Sequence, residues 1–514
     1  MIRTIKAVGA VKRAKLKKNS KGGRGCEYCR VLNSLVGTSR VLHDPHVVTM
    51  RKTRIICTLG PATESPEMLR KLIAAGADVF RLNMSHAKHE WCHDVANRIR
   101  EASDEIGRTV GILFDLQGPS IRTGDVEEKI ILNKGDKVEF RKEGTEARLK
   151  KSTTVNYGGL MTDVHEGDDL TVDNGELLMK IEQLEEDRMV CLVKTAGSMG
   201  SRRHINLPGV KLSLPALTEK DRADIKVAAA CRTDFVAGSF VRDAGHVREL
   251  RAALLKENCT AQIVSKLEDQ EAMRHLDDII VESDVIMVAR GDLGIEVHVE
   301  ELPIIQRRIV KRCHQHGRRV IVATHMLESM IHNPTPTRAE VTDVSNAVYE
   351  EADAIMLSGE TTIGKHPVRC VEVMDRVSRR IERSGGLGYG KEAILRTEKQ
   401  KTIKAAVGLA DSIANSLLVV FTRSGATAHQ AALLRPKTPI FAFTPDAAIC
   451  SKLTLSRGVR SFEITFEETP RETIAAAVKL LRRERDVQPG TPLIMVSDIL
   501  QEGHAVDSIL VEHA

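Results

Sequence analysis

At 514 residues and 42% hydrophobic content, the chain is long enough for two to four domains with at least one large core. It contains no run of about 18 apolar residues, which excludes a membrane-spanning helix, and its 3% aromatic content argues against base-stacking nucleic-acid recognition. The net charge of +6 is local: residues 1–50 hold eleven Lys or Arg against two acids, so the other 464 residues carry 65 basic and 68 acidic side chains and call for no acidic polymer as partner.

Residues 1–50 have no sustained periodicity and a basic run from Lys12 to Lys21. A transit peptide, a nucleic-acid tail and a segment upstream of a true start at Met50 compete as readings; the third is favoured, and poor order is expected. Cys26 and Cys29 form a lone CxxC with no second ligand pair nearby, so no zinc site is read there. The other cysteines are scattered, several inside apolar runs, which fits a reducing cytoplasm.

From Arg54 the pattern alternates between short apolar strands and helical periods. RIICTLG (54–60) precedes a helix near 65–75, VFRLNMS (79–85) a helix near 88–105, and VGILFDL (110–116) comes third. Residues 121–212 change character: alternating segments separated by Gly and Asp turns predict a small β domain inserted into an α/β domain. The rhythm resumes at Thr218 with a capping-box-like TEKD and a helix through Cys231. DFVAGSF (234–240) and a helix to Asn258 follow. Next come strand, helix and strand over Gln262–Gly294, with the helix spanning 271–282, then RVIVATHM (319–326), a helix around 338–350 and ADAIMLSGE (352–360).

Three strands before the insertion and five after it make the count of a closed (β/α)8 barrel, the TIM barrel. A Gly-rich break at 384–390 opens a smaller open α/β domain. The expected division is 1–50 as an extension, 51–120 and 213–384 as barrel, 121–212 as a β-barrel lid, and 385–514 as the C-terminal domain.

Ligands of parallel α/β sheets bind beyond the carboxyl ends of the strands, and here every barrel strand ends in polar residues. In order they are Thr58; Arg81, Asn83, Ser85 and His86; Asp115, leading to Arg122; Ser239 and Arg242; Lys266 and Glu268; Arg290 and Asp292; Thr324 and His325; Ser358 and Glu360. Glu268 and Asp292 are hard oxygen ligands of the kind Mg2+ takes together with substrate phosphates, and Lys266 is a point charge suited to a phosphoryl group. At one strand end these would read as solvated loop charges. At two adjacent ends they describe a site for phosphoryl transfer. Asp115 is also open to a purely structural ion pair, and Ser358 to an ordinary strand-end hydrogen bond.

The motifs RLNMSH, FDLQGPSIRTG, INLPG, VSKLED, IMVARGDLGIE, ATHMLESMI and NPTPTRAEVTDVSNAVYEEADAIMLSGET occur in this order, and with them residues 51–514 closely resemble the pyruvate kinase family. The resemblance implies a barrel with an inserted lid and a C-terminal α/β domain, transfer of the phosphoryl group of phosphoenolpyruvate to ADP in glycolysis, and a homotetramer. By motif position it implies Glu268 and Asp292 as ligands of Mg2+ or Mn2+, and Lys266 on the phosphoryl in flight. The substrate carboxylate is expected on the N–H groups of Gly291 and Asp292 and the hydroxyl of Thr324. Arg81 and Arg122 are expected on phosphate oxygens, and Asn83, His86, Arg122 and Arg203 on the nucleotide side. Asn83, Ser85, Asp115 and the carbonyl of Leu116 resemble the family's K+ site, and Thr324 with Ser358 would relay a proton to the enolate.

Ser120, His325 and the C-terminal segment 497–508 depart from the family pattern. Ser120 stands where members carry Glu or Lys, so dependence on K+ is open in the sequence, and the missing built-in charge argues for a bound cation. His325 replaces a common Gln, adding a titratable group and an expected extra pH dependence. TRSGATA (422–428) resembles the effector-phosphate loop, with Thr422, Ser424, Gly425 and Thr427 as its contacts, while an ordinary capped helix is the plain alternative. SDILQEGHAVDS (497–508) lacks the Arg-containing loop of members activated by fructose bisphosphate, which leaves a sugar monophosphate, a nucleotide or no effector. A barrel enzyme acting on phosphoenolpyruvate without a nucleotide, and a catalytically dead binding protein, are the rival readings; the inserted lid with Arg81, Arg122 and His86 counts against the first, and the intact Lys266, Glu268 and Asp292 against the second.

Overall fold

The computed structural model describes residues 50–173, 175–483, 487–501 and 504–514. The basic segment 1–49, with its expected disorder and its CxxC, lies outside the described residues. Eight parallel strands close into a barrel: Arg54–Thr58, Val79–Asn83, Gly111–Asp115, Phe235–Gly238, Gln262–Leu267, Val285–Ala289, Arg319–Ala323 and Ala354–Leu357. Each pairs with the next, and the eighth returns to the first through Arg54 opposite Ala354. Most are buried along their whole length, as strands covered on both faces must be, which is why they read as unbroken apolar runs.

The helices between them start where their caps predict. Ser65 accepts from Met68 N–H, and Thr218 with Asp221 closes a reciprocal capping box. The helix expected over 271–282 is instead two, Gln270–Arg274 and Leu276–Glu282, broken at His275. Ala272, Leu276, Ile279 and Ile280 are all buried against the barrel despite the break. The spacing reported the buried face, and continuity was a separate matter.

The strands from Ile130–Leu132 to Ile205–Asn206 form the lid, a six-stranded sheet and a two-stranded ribbon around their own core. In its strand Leu177–Leu184, the alternating Leu177, Met179 and Ile181 are buried. The C-terminal sheet runs Val459–Glu463, Ile440–Thr444, Leu417–Phe421, Pro492–Gln501, His504–His513, parallel except for its last pair. That pair is a long antiparallel hairpin, so 497–501 and 504–508 are strand. No helix among the described residues is long and apolar enough to cross a membrane.

The bore of the barrel is filled. Ile56, Val79, Leu113, Phe235, Val264, Val285, Met287, Ile321 and Met356 pack together there with Leu455, which belongs to the C-terminal domain. Arg54 and Arg319 close the floor by donating to carbonyls of that same segment, Ser456 and Val459 for Arg54 and Lys452 for Arg319. Gly111 is required at this level, because a Cβ there would lie 2.5 Å from Thr454 Oγ1.

Candidate active site

A strand alternates its side chains between faces, so the bore residues fix which polar residues reach the mouth. In the fifth strand Val264 points inward, and Lys266 and then Glu268 follow on the same face. The same count carries Leu113 to Asp115, Val79 to Arg81 and Asn83, Ala237 to Ser239, Ile56 to Thr58 and Met356 to Ser358. Residues with no apparent link in sequence thus converge on one opening.

Lys266 is at the centre of the cluster. Its Nζ lies 2.9 Å from Glu268 Oε1 and 3.2 Å from Asp115 Oδ1, and it donates to Ser239 Oγ at 2.7 Å. Burial works against its charge, yet Asp115 and Glu268 hold the ammonium above its ordinary value. Arg81 donates to Asp115 Oδ2 at 2.6 Å and to Thr58 Oγ1 at 3.0 Å. Asp115 is 1% exposed and serves two cations, which keep it below the usual carboxylate range despite its burial.

Glu268 accepts the Phe240 N–H at 2.6 Å and is 1% exposed. Burial, with the nearby charge of Asp292, pushes its carboxyl up to about 7 against the pull of Lys266. Asp292 is the open member of the pair at 34% exposed, with His204 Nδ1 4.0 Å away. Two hard acids whose repulsion a cation would relieve, one sealed and one facing the mouth, are a donor set that fits Mg2+ with substrate oxygens completing its shell. Among the described residues no group of three or more His, Cys, Asp and Glu side chains could hold a metal.

Beyond the sixth and seventh strands the geometry departs from the simplest expectation. The Gly291 N–H, expected to be open to a substrate carboxylate, is donated to Thr324 Oγ1 at 2.8 Å. Arg290, one of the strand-end charges, bonds the carbonyls of Ala323 and Thr324 and pairs with Asp343. Thr324 and His325 both have positive φ, +67° and +54°. His325 is exposed, 4.0 Å from Glu328. The Ser358 hydroxyl is buried without a protein partner, while Glu360 ties the seventh and eighth strand ends by accepting from the N–H groups of Leu327 and Ser358.

Asn83 and Asp115 face each other in the register of the second and third strands. Asn83 Oδ1 accepts the Ser85 N–H, and the Leu116 carbonyl accepts from Ser239. Ser120 accepts from Arg122 Nε at 3.2 Å. Arg122 stands where the lid joins the barrel and donates to the Arg202 carbonyl; burial, against the pull of Asp292 and with the help of Arg122, lowers the affinity of His204 for a proton. His86 is exposed beyond the second strand. Arg203 is held inside the lid by Asp173 at 3.3 Å and is not joined to the Lys266 cluster.

In the C-terminal domain, Thr422 Oγ1 accepts the Gly425 N–H at 2.9 Å and Ser424 Oγ that of Ala426 at 3.4 Å, while Thr427 is buried one turn on. Gly425 has a left-handed backbone that this turn requires. The hydroxyls of Thr422 and Ser424 thus already accept from backbone N–H groups of the turn itself, while the helix N-cap, Gly425, supplies no side chain.

Sequence reasoning did not single out Ser239, His204 or Asp343 as site residues. Ser239 was visible as a strand-end hydroxyl. His204 and Asp343 come from the lid return and from a helix, where no strand-end count reaches.

Comparison with known proteins follows the same lines. Residues 50–371 match the family described as pyruvate kinase, barrel domain, and residues 400–511 match pyruvate kinase, alpha/beta domain. Plastidial pyruvate kinase 3 of Arabidopsis thaliana is 40% identical over 458 residues, covering 87% of this chain and 78% of that one. The pyruvate kinase of Geobacillus stearothermophilus is 39% identical over 464 residues with the same coverage. Among solved structures, a pyruvate kinase from Cryptosporidium parvum matches with a TM-score of 0.85 at 33% identity, over 91% of this chain and 97% of that one. The chain belongs to the pyruvate kinase family, the phosphotransferases that link phosphoenolpyruvate and ADP to pyruvate and ATP.

Proposed function

We propose that this chain transfers the phosphoryl group of phosphoenolpyruvate to ADP at the mouth around Lys266. The observation that carries the reading is the buried ammonium of Lys266, held between Glu268 and Asp115 with Arg81 beside it. A phosphoryl in transit spreads negative charge over its equatorial oxygens, and prepositioned cations in a dry site stabilise it without reorganisation. Lys266 and Arg81 do this directly, and Arg122 at the lid joint takes phosphate oxygens from the other side. Glu268 and Asp292 would hold Mg2+ or Mn2+, which supplies charge neutralisation on the phosphate oxygens when bound.

Transfer leaves an enolate that needs a proton at its methylene carbon. Thr324 and Ser358 are its source in this reading, and the unpartnered Ser358 hydroxyl supports a water at that place. Asn83, Ser85, Asp115 and the Leu116 carbonyl would take K+, and Asn83, His86, Arg122 and Arg203 would contact the nucleotide, Arg203 after leaving Asp173. Thr422, Ser424, Gly425 and Thr427 are the candidate seat for the phosphate of a sugar phosphate or nucleotide effector. The eight described cysteines are all free, which supports a reducing cytoplasm, and the exposed Val299 and Ile304 support self-assembly, with a homotetramer as the proposed form.

A coupled assay of pyruvate formation tests the core of this. Pyruvate should appear only with ADP and a divalent cation, and Lys266→Met should lower kcat by about two to three orders of magnitude with the fold intact. Pyruvate formation without a nucleotide, or a Lys266→Met enzyme at the parent rate, would overturn it.

A further inference from the structure

Thr324 is β-branched, and a β-branched residue rarely adopts positive φ; His325 beside it does the same. Such a conformation persists only when its surroundings over-determine it. The surroundings here are specific. Arg290 donates through Nη2 to the Thr324 carbonyl at 2.6 Å and through Nε to the Ala323 carbonyl at 3.1 Å. The neighbouring Gly291 N–H reaches Thr324 Oγ1 at 2.8 Å. One guanidinium and one amide thus fix the backbone and the hydroxyl of the same residue.

Arg290 is itself held. Its Nη1 lies 2.6 Å from Asp343 Oδ1 and 3.4 Å from Gln306 Oε1, and its side chain is only 9% exposed. Asp343 belongs to the helix Arg338–Tyr349, which packs outside the barrel and contributes no side chain to the Lys266 cluster described above. With Nε on one carbonyl, Nη2 on the other and on Met326 Sδ at 2.8 Å, and Nη1 on Asp343 and Gln306, all five donors of the guanidinium are taken within the protein and none is left for a phosphate. Its planar fork is what lets it span these partners, and a lysine could not do so.

We propose that Asp343 acts through Arg290 as a positioning residue, clamping Thr324 in its left-handed conformation so that its hydroxyl faces the three-carbon substrate. This rests on the reading of Thr324 as part of the proton path. Without the carboxylate the fork keeps only uncharged partners, its hold on the Thr324 carbonyl loosens, and the backbone relaxes toward an ordinary φ, turning the hydroxyl away.

The test separates proton delivery from binding. Asp343→Ala and the milder Asp343→Asn are compared with the parent for kcat, for KM of ADP and phosphoenolpyruvate, and for exchange of the methyl hydrogens of pyruvate with D2O followed by NMR. Loss of the clamp should lower kcat and methyl exchange together by about tenfold to a hundredfold, with KM for ADP moving less than about twofold. Arg290→Lys should behave alike, and Asp343→Glu should recover most of the loss. Should Asp343→Ala destabilise the fold, Asp343→Asn decides. If both Asp343 variants keep kcat and exchange within about twofold of the parent while Thr324→Val loses exchange, the clamp is overturned and the role of Thr324 stands. If Thr324→Val exchanges at the parent rate, the reading of Thr324 falls, and the clamp with it.

Discussion

Lys266 does its work because two carboxylates and a hydroxyl surround it, and each of those partners owes its place to strand parity. The same cluster bears on Ser120. No side-chain cation stands at position 120 itself, Ser120 is bonded by Arg122, and the proposed K+ ligands Asn83, Ser85, Asp115 and the Leu116 carbonyl are hard oxygen donors. Ser120→Lys is therefore expected to reduce the response of kcat to added K+, measured against Na+ at constant ionic strength, with the parent enzyme keeping that response. Equal K+ response in parent and variant would sink the idea. At this scale Lys266, Glu268 and Asp115 are legible in the sequence as charges where apolar strands end, and the alternation of each strand explains why the structure turns them to one opening. Arg290 was legible only as a charge. That it spends itself on two carbonyls and Asp343 depends on a turn with positive φ at Thr324, and no residue type announces such a turn when the residue is not glycine.

The strands and most helices announced themselves through apolar spacing and through caps such as Thr218 with Asp221. The break at His275 did not, because the apolar face continues across it. What happens inside the bore was equally silent. Gly111 looks in sequence like the mere start of a strand. In the structure it faces inward at the floor, against Thr454 Oγ1 and the Phe235 ring. Gly111→Ala should force the third strand and the segment around Thr454 apart and lower stability by about 1–3 kcal/mol, with no residue of the Lys266 cluster touched. Thermal unfolding with parallel kinetics checks this: a lower Tm with kcat retained is the expected pair, and an unchanged Tm would refute the close contact.

Across the whole molecule, the seam between barrel and C-terminal domain carries two histidines, His314 buried and His429 half-buried. His314, on the helix Leu302–His316, lies against the Glu351 carbonyl and Arg435, and His429, on the helix Ala426–Leu433, against the Gly317 carbonyl. Burial, reinforced by Arg435 and Arg457 at His314 and by Arg319 and Arg318 at His429, pushes both down to about 3, although Asp353 pulls the other way. An unfolded histidine titrates near 6.5, so below that pH the unfolded chain binds protons that the folded chain refuses. Stability contributed by these two rings is complete above about 6.5 and falls as the pH drops toward 3. Tm measured from pH 7.5 to 5 should decline, and His314→Gln with His429→Gln should flatten that slope; a slope identical to the parent would remove both rings from the account.

The floor described above also settles the traffic of the molecule. With Leu455 seated in the bore and Arg54 and Arg319 stitched to the segment beneath it, the barrel is a blind vessel. Whatever binds at the Lys266 cluster must therefore arrive and depart on the side of the strand ends, never through the bore.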